Sequence, residues 1–374
     1  MFQKAVIVTG NYPPEGGGPA KFAKTFSSWI SPKVESVKVL STTPNSSQIF
    51  EYSNIEVYLQ SRKQNIFFRF FSIAFKLGKI SWKNSIVIAN GCFLETYISS
   101  LIFRFNYVAK VPGVIVWERA RNNNSTSLSM VEYQLATLPI RMRILRFLFS
   151  RSLMRADLVI VPSTGLRKVC LGWGIPKEKI VFIPNSVDSL KFRPSTKSVM
   201  SFDVITVSRL IPIKRIEEII RVCRKYDLSL LVVGDGPEER NLRKYAKQYG
   251  GEVHFFGNAS QEQLPDLYLK SKYFILNSEF EAGTPYALLE ARACGLVCIA
   301  NKLTGCADVI NDGVDGYLFD GNSSDGLEQK LIQVLSEQGK YNEFSRFSRS
   351  DAINRFSEDA VYGQIFKLMN QENA

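Results

Sequence analysis

The chain reads as an α/β protein of two domains, and three features of the sequence say so. At 374 residues it is long enough for two cores at roughly 100–200 residues per domain. Short β-rich apolar runs alternate with amphipathic stretches from end to end, the pattern of parallel strands covered by helices. Near the middle, residues 191–201 (KFRPSTKSVMS) carry proline and serines without an apolar run, which marks a linker. The expected division is 1–192, then 193–355, with a closing helix over 356–374 that can cross back to the first domain.

The elements follow in order. Residues 5–9 (AVIVT) form a first buried strand, and the four-residue run that makes it is too short for a secretory h-region. Gly16, Gly17 and Gly18 follow, and then a helix over 19–30. Further strands are expected at 37–40, 86–89, 114–116, 158–161 and 181–183. In the second half they are expected at 204–208, 228–233, 253–256, 273–277 and 297–300, with helices at 215–226 and 238–249. Thr284 suits an N-cap and Pro285 a first helical position, so a helix should start there and carry Glu290 on its second turn. The tail over 357–373 reads as a helix.

Two stretches of the first half are basic and apolar together. Residues 62–83 hold six positive charges, no acids, five phenylalanines and a tryptophan. At 100° per residue Arg62, Arg69, Lys76, Lys79 and Lys83 share one side, with Phe67, Phe70, Phe71 and Ala74 mostly opposite. Residues 141–155 (RMRILRFLFSRSLMR) repeat the composition. Interfacial helices that meet anionic lipid look like this, as does a core helix with a solvated basic stripe.

Charge narrows the function. The net charge is +12, which draws polyanions, but residues 1–190 carry +14 and 191–374 carry −2. That uneven split disfavours a uniformly nucleic-acid-binding protein. Six scattered cysteines, Cys92, Cys170, Cys223, Cys294, Cys298 and Cys306, suit buried thiols better than a disulfide scaffold. No run of about 18 apolar residues is present to span a bilayer. The expected location is cytoplasmic, peripheral on the inner membrane face.

Several chemistries lack their residues. There is no GxxxxGK[ST] and no HExxH. The single histidine, His254, sits in a strand-like VHFFG and suits a structural role. No Asp-x-Asp exists to hold a divalent cation against a nucleotide diphosphate. The remaining candidates point to a diphosphate bound without metal. Glycines before a helix let backbone N–H groups approach an anion. Arg209 and Lys214 follow a strand whose carboxyl end faces the ligand crevice in open α/β sheets, and two cations there can neutralise a departing diphosphate. Glu290, among apolar and small neighbours, can accept hydrogen bonds from a ribose diol.

These pieces in this order resemble the family 4 retaining nucleotide-sugar glycosyltransferases of GT-B architecture. The likeness runs through YPPEGGGPAKFAKTF, ADLVIVPST, VFIPNSVDSLKFRP, VSRLIPIKR, LVVGDGPEERNL, VHFFGNAS, GTPYALLEARACG and NDGVDGYLF. It implies two Rossmann-like α/β domains facing across a cleft, the acceptor on the first and the donor on the second. The donor would be a UDP- or GDP-linked sugar, with no further cofactor. By the same resemblance Arg209 and Lys214 bind the diphosphate, Glu290 binds the ribose, and Gly16 and Gly17 lie against the phosphates. Asn258 lies beside the nucleobase, and Gly283, Thr284 and Leu288 line the donor site.

Two departures stand out. The family's paired glutamates are usually eight positions apart, which would put the first on Ala282, whereas Glu281 lies nine before Glu290. Where many members carry a histidine near the sugar, this chain reads VPGVIVWERARNNN, with Glu118 the nearest polar candidate and Arg119 and Arg121 beside it. The resulting expectation is a metal-independent retaining transferase acting on a lipid-linked or growing surface glycan, with capsule or lipopolysaccharide biosynthesis as the setting. Rivals are a soluble small-molecule acceptor, a nucleotide-sugar epimerase of similar architecture, and a non-catalytic nucleic-acid-binding protein.

Overall fold

The computed structural model describes residues 3–80, 85–122, 125–126, 128–195, 200–303 and 305–371. The chain divides into two compact units, 1–184 together with 362–374, and 185–361. Residues 185–192 go with the second unit because Val187 and Phe192 sit in its core. Within the stretch read as a linker, 196–199 lie outside the described residues.

In the first unit the strands are β1 (Lys4–Thr9), β2 (Ser36–Thr43), β3 (Gln48–Tyr52), β4 (Ile55–Ser61), β5 (Ser85–Asn90), β6 (Val108–Lys110), β7 (Leu158–Val161) and β8 (Ile180–Phe182). Among the described residues they form one sheet in the order β3-β4-β2-β1-β5-β6-β7-β8. The β3–β4 pair is antiparallel and the other pairings are parallel. From Ala5 to Thr9 every residue of β1 is buried, as expected of a strand covered on both faces.

The run 114–116 is not a strand. Pro112 and Gly113 interrupt the chain after β6, and a helix, Ile115–Asn122, begins there. Val114 and Val116 are nevertheless fully buried, so packing overrides their β preference.

The basic segment 62–83 becomes the helix Ile66–Ile80, while 81–84 lie outside the described residues. It buries Ile73, Ala74, Leu77 and Gly78. Gly78 admits Phe103 of the neighbouring helix Phe93–Phe103, since a Cβ there would lie 2.1 Å from that ring. The aromatics Phe67, Phe68, Phe71 and Phe75 stay more than half exposed. Arg62, before the helix, is not without a balancing acid: Glu15 holds it at 2.5 Å.

The second basic stretch is the helix Ile140–Arg155, which also leaves Ile140, Ile144 and Phe147 exposed. From Tyr362 on, the closing helix Glu358–Gln371 belongs to the first unit, where the Tyr362 ring meets Phe26 edge-on at 5.2 Å.

The second unit holds β9 (Phe202–Val207), β10 (Leu230–Val233), β11 (Val253–Gly257), β12 (Ser271–Leu276), β13 (Val297–Asn301) and β14 (Tyr317–Phe319), all parallel in the order β11-β10-β9-β12-β13-β14. The two-residue period of a strand sorts the core. Ile205, Leu231, Phe274 and Cys298 pack on one face, and Val204, Leu230, Tyr273 and Val297 on the other. His254 is not in the core: it is exposed on the edge strand β11, its ring 5.9 Å from Phe202.

Candidate active site

The carboxyl ends of β9 and β12 bring several predicted residues of the second unit together. After β9 the chain runs through Ser208 and Arg209 to a short turn, Pro212–Lys214. Ser208 N–H donates to Val233 O and Leu210 N–H to Asp235 O, which pins this loop to the end of β10. Gly234 makes that approach possible: its φ is +130°, and a Cβ would lie 1.9 Å from Ser208 O. Arg209 is exposed and forms no ion pair among the described residues.

Lys214 is half-buried, and its Nζ lies 2.5 Å from Glu281 Oε1. Ser278 Oγ donates to the same oxygen at 2.7 Å, and Glu279 N–H donates to Ile213 O at 2.7 Å. The two loops are therefore joined by charge and by backbone. Glu281 has a definite place in this structure: it orients the Lys214 ammonium. An incoming anion at Lys214 would have to share that cation.

The segment after Glu281 is held just as closely. Gly305, at φ +96°, lets its loop pass Gly283, whose carbonyl oxygen would lie 2.3 Å from a Cβ at Gly305. Thr284 is buried, but it is not the N-cap. The helix is Tyr286–Ala293 with Pro285 at its cap, because Thr284 Oγ1 instead accepts from Asn185 N–H at 2.6 Å. Asn185 Nδ2 also donates to Thr284 O at 2.8 Å. Leu288 is fully buried. Glu290 is 3% exposed, and its Oε2 accepts from Tyr268 Oη at 2.9 Å. Burial, and next the Glu290 charge, drive the Tyr268 phenol well above its ordinary range. Asn258 is exposed just past the end of β11.

In the first unit Gly16 and Gly17 are exposed, and Gly17, at φ +111°, caps the helix Gly18–Ile30. Asn11 Nδ2 donates to Gly16 O and braces the turn. No acid occupies the first helical turn, so the positive end of the helix is left uncompensated by its own side chains.

Glu118 lies on Ile115–Asn122 and lines a cavity of about 600 Å³ within this unit, beside Glu95 of Phe93–Phe103. Burial raises the pKa of both carboxyls. The Arg119 side chain lies outside the described residues, and Arg121 donates to Thr126 O. Sequence reasoning missed Glu95. The acid sits inside an otherwise apolar helical run, FLETYISSLIF, and that isolation was the signal that could have found it.

Residues 188–351 match the family described as Glycosyl transferases group 1. The second unit carries a glycosyl transferases group 1 domain. The residues gathered at the ends of β9 and β12 all fall inside this group 1 domain. Over 165 residues the chain is 27% identical to the N-acetyl-alpha-D-glucosaminyl L-malate synthase of Bacillus anthracis, covering 43% of each protein. Over 228 residues it is 28% identical to a phosphatidylinositol N-acetylglucosaminyltransferase of Arabidopsis thaliana, covering 57% of this chain and 50% of that one. The matches thus span half or less of these relatives' lengths. Among solved structures, HepE from Anabaena in complex with UDP aligns over 98% of this chain and 100% of its own, with a TM-score of 0.76 at 17% identity. The fold is that of the GT-B glycosyltransferases.

Proposed function

We propose that the protein is a retaining, metal-independent glycosyltransferase that moves a sugar from a UDP- or GDP-linked donor to a lipid-linked or growing glycan at the cytoplasmic membrane face. The observation that carries this reading is the pair Arg209 and Lys214 at the carboxyl end of β9 in a group 1 domain. The bond from the anomeric carbon to the diphosphate oxygen breaks, and its electrons go to the phosphate. The acceptor oxygen bonds the anomeric carbon on the same face, and its proton passes to the departing phosphate oxygen. Such a path asks for fixed cations more than for a protein base. Arg209 and Lys214 supply them, Glu281 orients Lys214, and the Gly16–Gly17 turn offers amide dipoles. Glu290 takes the ribose, Asn258 the base, and Gly283, Thr284 and Leu288 shape the donor pocket.

The first unit receives the acceptor and meets anionic lipid. Phe67 and Phe71 of Ile66–Ile80, 71% and 60% exposed, and Phe147 of Ile140–Arg155, 60% exposed, stand among arginines and lysines, the composition of a helix that rests on a membrane surface. No helix among the described residues is long and apolar enough to cross one. The names of the two relatives favour different acceptors: one names phosphatidylinositol, and the other names L-malate, which supports a soluble acceptor as the second reading.

Replacing Arg209 or Lys214 by Ala is expected to lower kcat by at least about 100-fold with an unchanged Tm. Transfer at a near-native rate by either variant would remove the leaving-group assignment. Transfer to a water-soluble acceptor with no loss when lipid is omitted would favour the second reading.

A further inference from the structure

The cavity of the first unit has two chemically different ends. Its wall is largely apolar, with Phe70 from Ile66–Ile80, Leu94 from Phe93–Phe103, and Leu145 and Phe149 from Ile140–Arg155. These are the three helices whose outer sides expose Phe67, Phe71, Leu101, Ile102, Ile144 and Phe147. Ile66 belongs to both surfaces: it lines the cavity and is 62% exposed, so the cavity is continuous with the apolar exterior.

The other end is polar. Asn11 and Asn90 lie there at the carboxyl ends of β1 and β5, with Glu95 and Glu118. Neither carboxyl forms an ion pair among the described residues. Two half-buried carboxyl groups without a cation on them call for hydrogen-bond donors. A volume of about 600 Å³ is that of a small-molecule site.

We propose that this cavity binds an amphiphile, with hydroxyl groups of its head donating to Glu95 and Glu118 and its alkyl chain running past Phe70, Leu145 and Phe149 to the Ile66 opening. An apolar wall removes chain methylenes from water, while carboxylates facing that wall reward a hydroxylated head and no other part of the ligand. In catalysis this deepens, and rests on, the transfer reading above, since it names what the acceptor must look like next to its reactive sugar: an alkyl chain close behind a polyhydroxyl head. The burial that raises both carboxyl pKa values is relieved when hydroxyls bind them.

The test is calorimetric titration of the full chain with hexyl, octyl and decyl glucosides below their micelle concentrations, with free glucose as the headgroup control. Affinity is expected to rise about three- to fourfold per added methylene and to level off once the cavity is filled. Leu145→Trp, which fills the apolar end, is expected to weaken octyl glucoside at least tenfold. Glu95→Gln and Glu118→Gln are expected to weaken it several-fold while leaving the chain-length slope intact. The Tm of each variant separates lost binding from lost folding. Affinity independent of chain length, or unchanged by Leu145→Trp and by both glutamine variants, overturns the site. UDP titrated in parallel keeps the two readings apart: glucoside binding without UDP binding retains the cavity and removes the donor assignment, and UDP binding without glucoside binding does the reverse.

Discussion

At the scale of single residues, Lys110 is the least expected group in the molecule. It ends β6, is 2% exposed, and lies over the Phe22 ring with Nζ 4.4 Å from the centroid. Burial lowers its pKa to about 7. Between pH 7 and the ordinary lysine value the unfolded chain holds a proton that the folded chain has released. Stability therefore rises with pH across that window, and below pH 7 the folded state bears the full cost of a buried ammonium. Lys110→Met is expected to raise Tm by about 2–4 °C at pH 6.5 and to give a smaller gain at pH 9.5. A gain independent of pH would show that the ammonium is not the cause. Lys110 was not legible in the sequence because VAK reads as a strand end with a solvated lysine. Only the chain packed around it turns that lysine inward.

At the scale of elements, helices of similar composition serve different ends. Ile66–Ile80 buries Ile73, Ala74 and Leu77 and leaves its phenylalanines outside. The periodicity showed an amphipathic helix, but which apolar stripe faced the sheet depended on where Gly78 meets Phe103. The double variant Phe67→Ser/Phe71→Ser is expected to cut co-sedimentation with phosphatidylglycerol vesicles at least tenfold with little change in Tm, since neither ring is in the core. Undiminished sedimentation would dismiss this helix as the membrane contact.

Tyr286–Ala293 is the contrasting case. Its Arg292 is fully buried and bonds Asp315 at 2.9 Å and Asp351 at 2.7 Å, tying this helix to a loop and to the helix Tyr341–Phe356. Removing one partner leaves buried charge behind, so Arg292→Met is expected to cost about 3–5 kcal/mol in urea unfolding. A loss under about 1 kcal/mol would place the strength of that tie elsewhere.

At the scale of the whole molecule, the two units divide the chemistry. The group 1 domain collects Arg209, Lys214, Glu281 and Glu290 at its strand ends, and the first unit holds the glycine turn and the amphiphile cavity. UDP or GDP is expected to raise Tm by mass action, equally with and without a chelator. A shift that vanishes on chelation would overturn metal independence. Lys214→Ala should shrink that shift, whereas Leu145→Trp should leave it unchanged because Leu145 belongs to the other unit.

By itself the sequence determined the α/β class, nearly all of the buried strands and the loops that carry Arg209, Lys214 and Glu290. These rest on local periodicity and on side-chain types at fixed spacing, which survive without knowledge of the fold. The tertiary structure alone decided that 114–116 opens a helix, that Thr284 bonds Asn185 rather than capping, that Glu281 meets Lys214, and that Glu95 shares a cavity with Glu118. Each of these joins residues distant in the chain or sets burial against local preference, and no pattern along one stretch of sequence records which distant groups exclude water together.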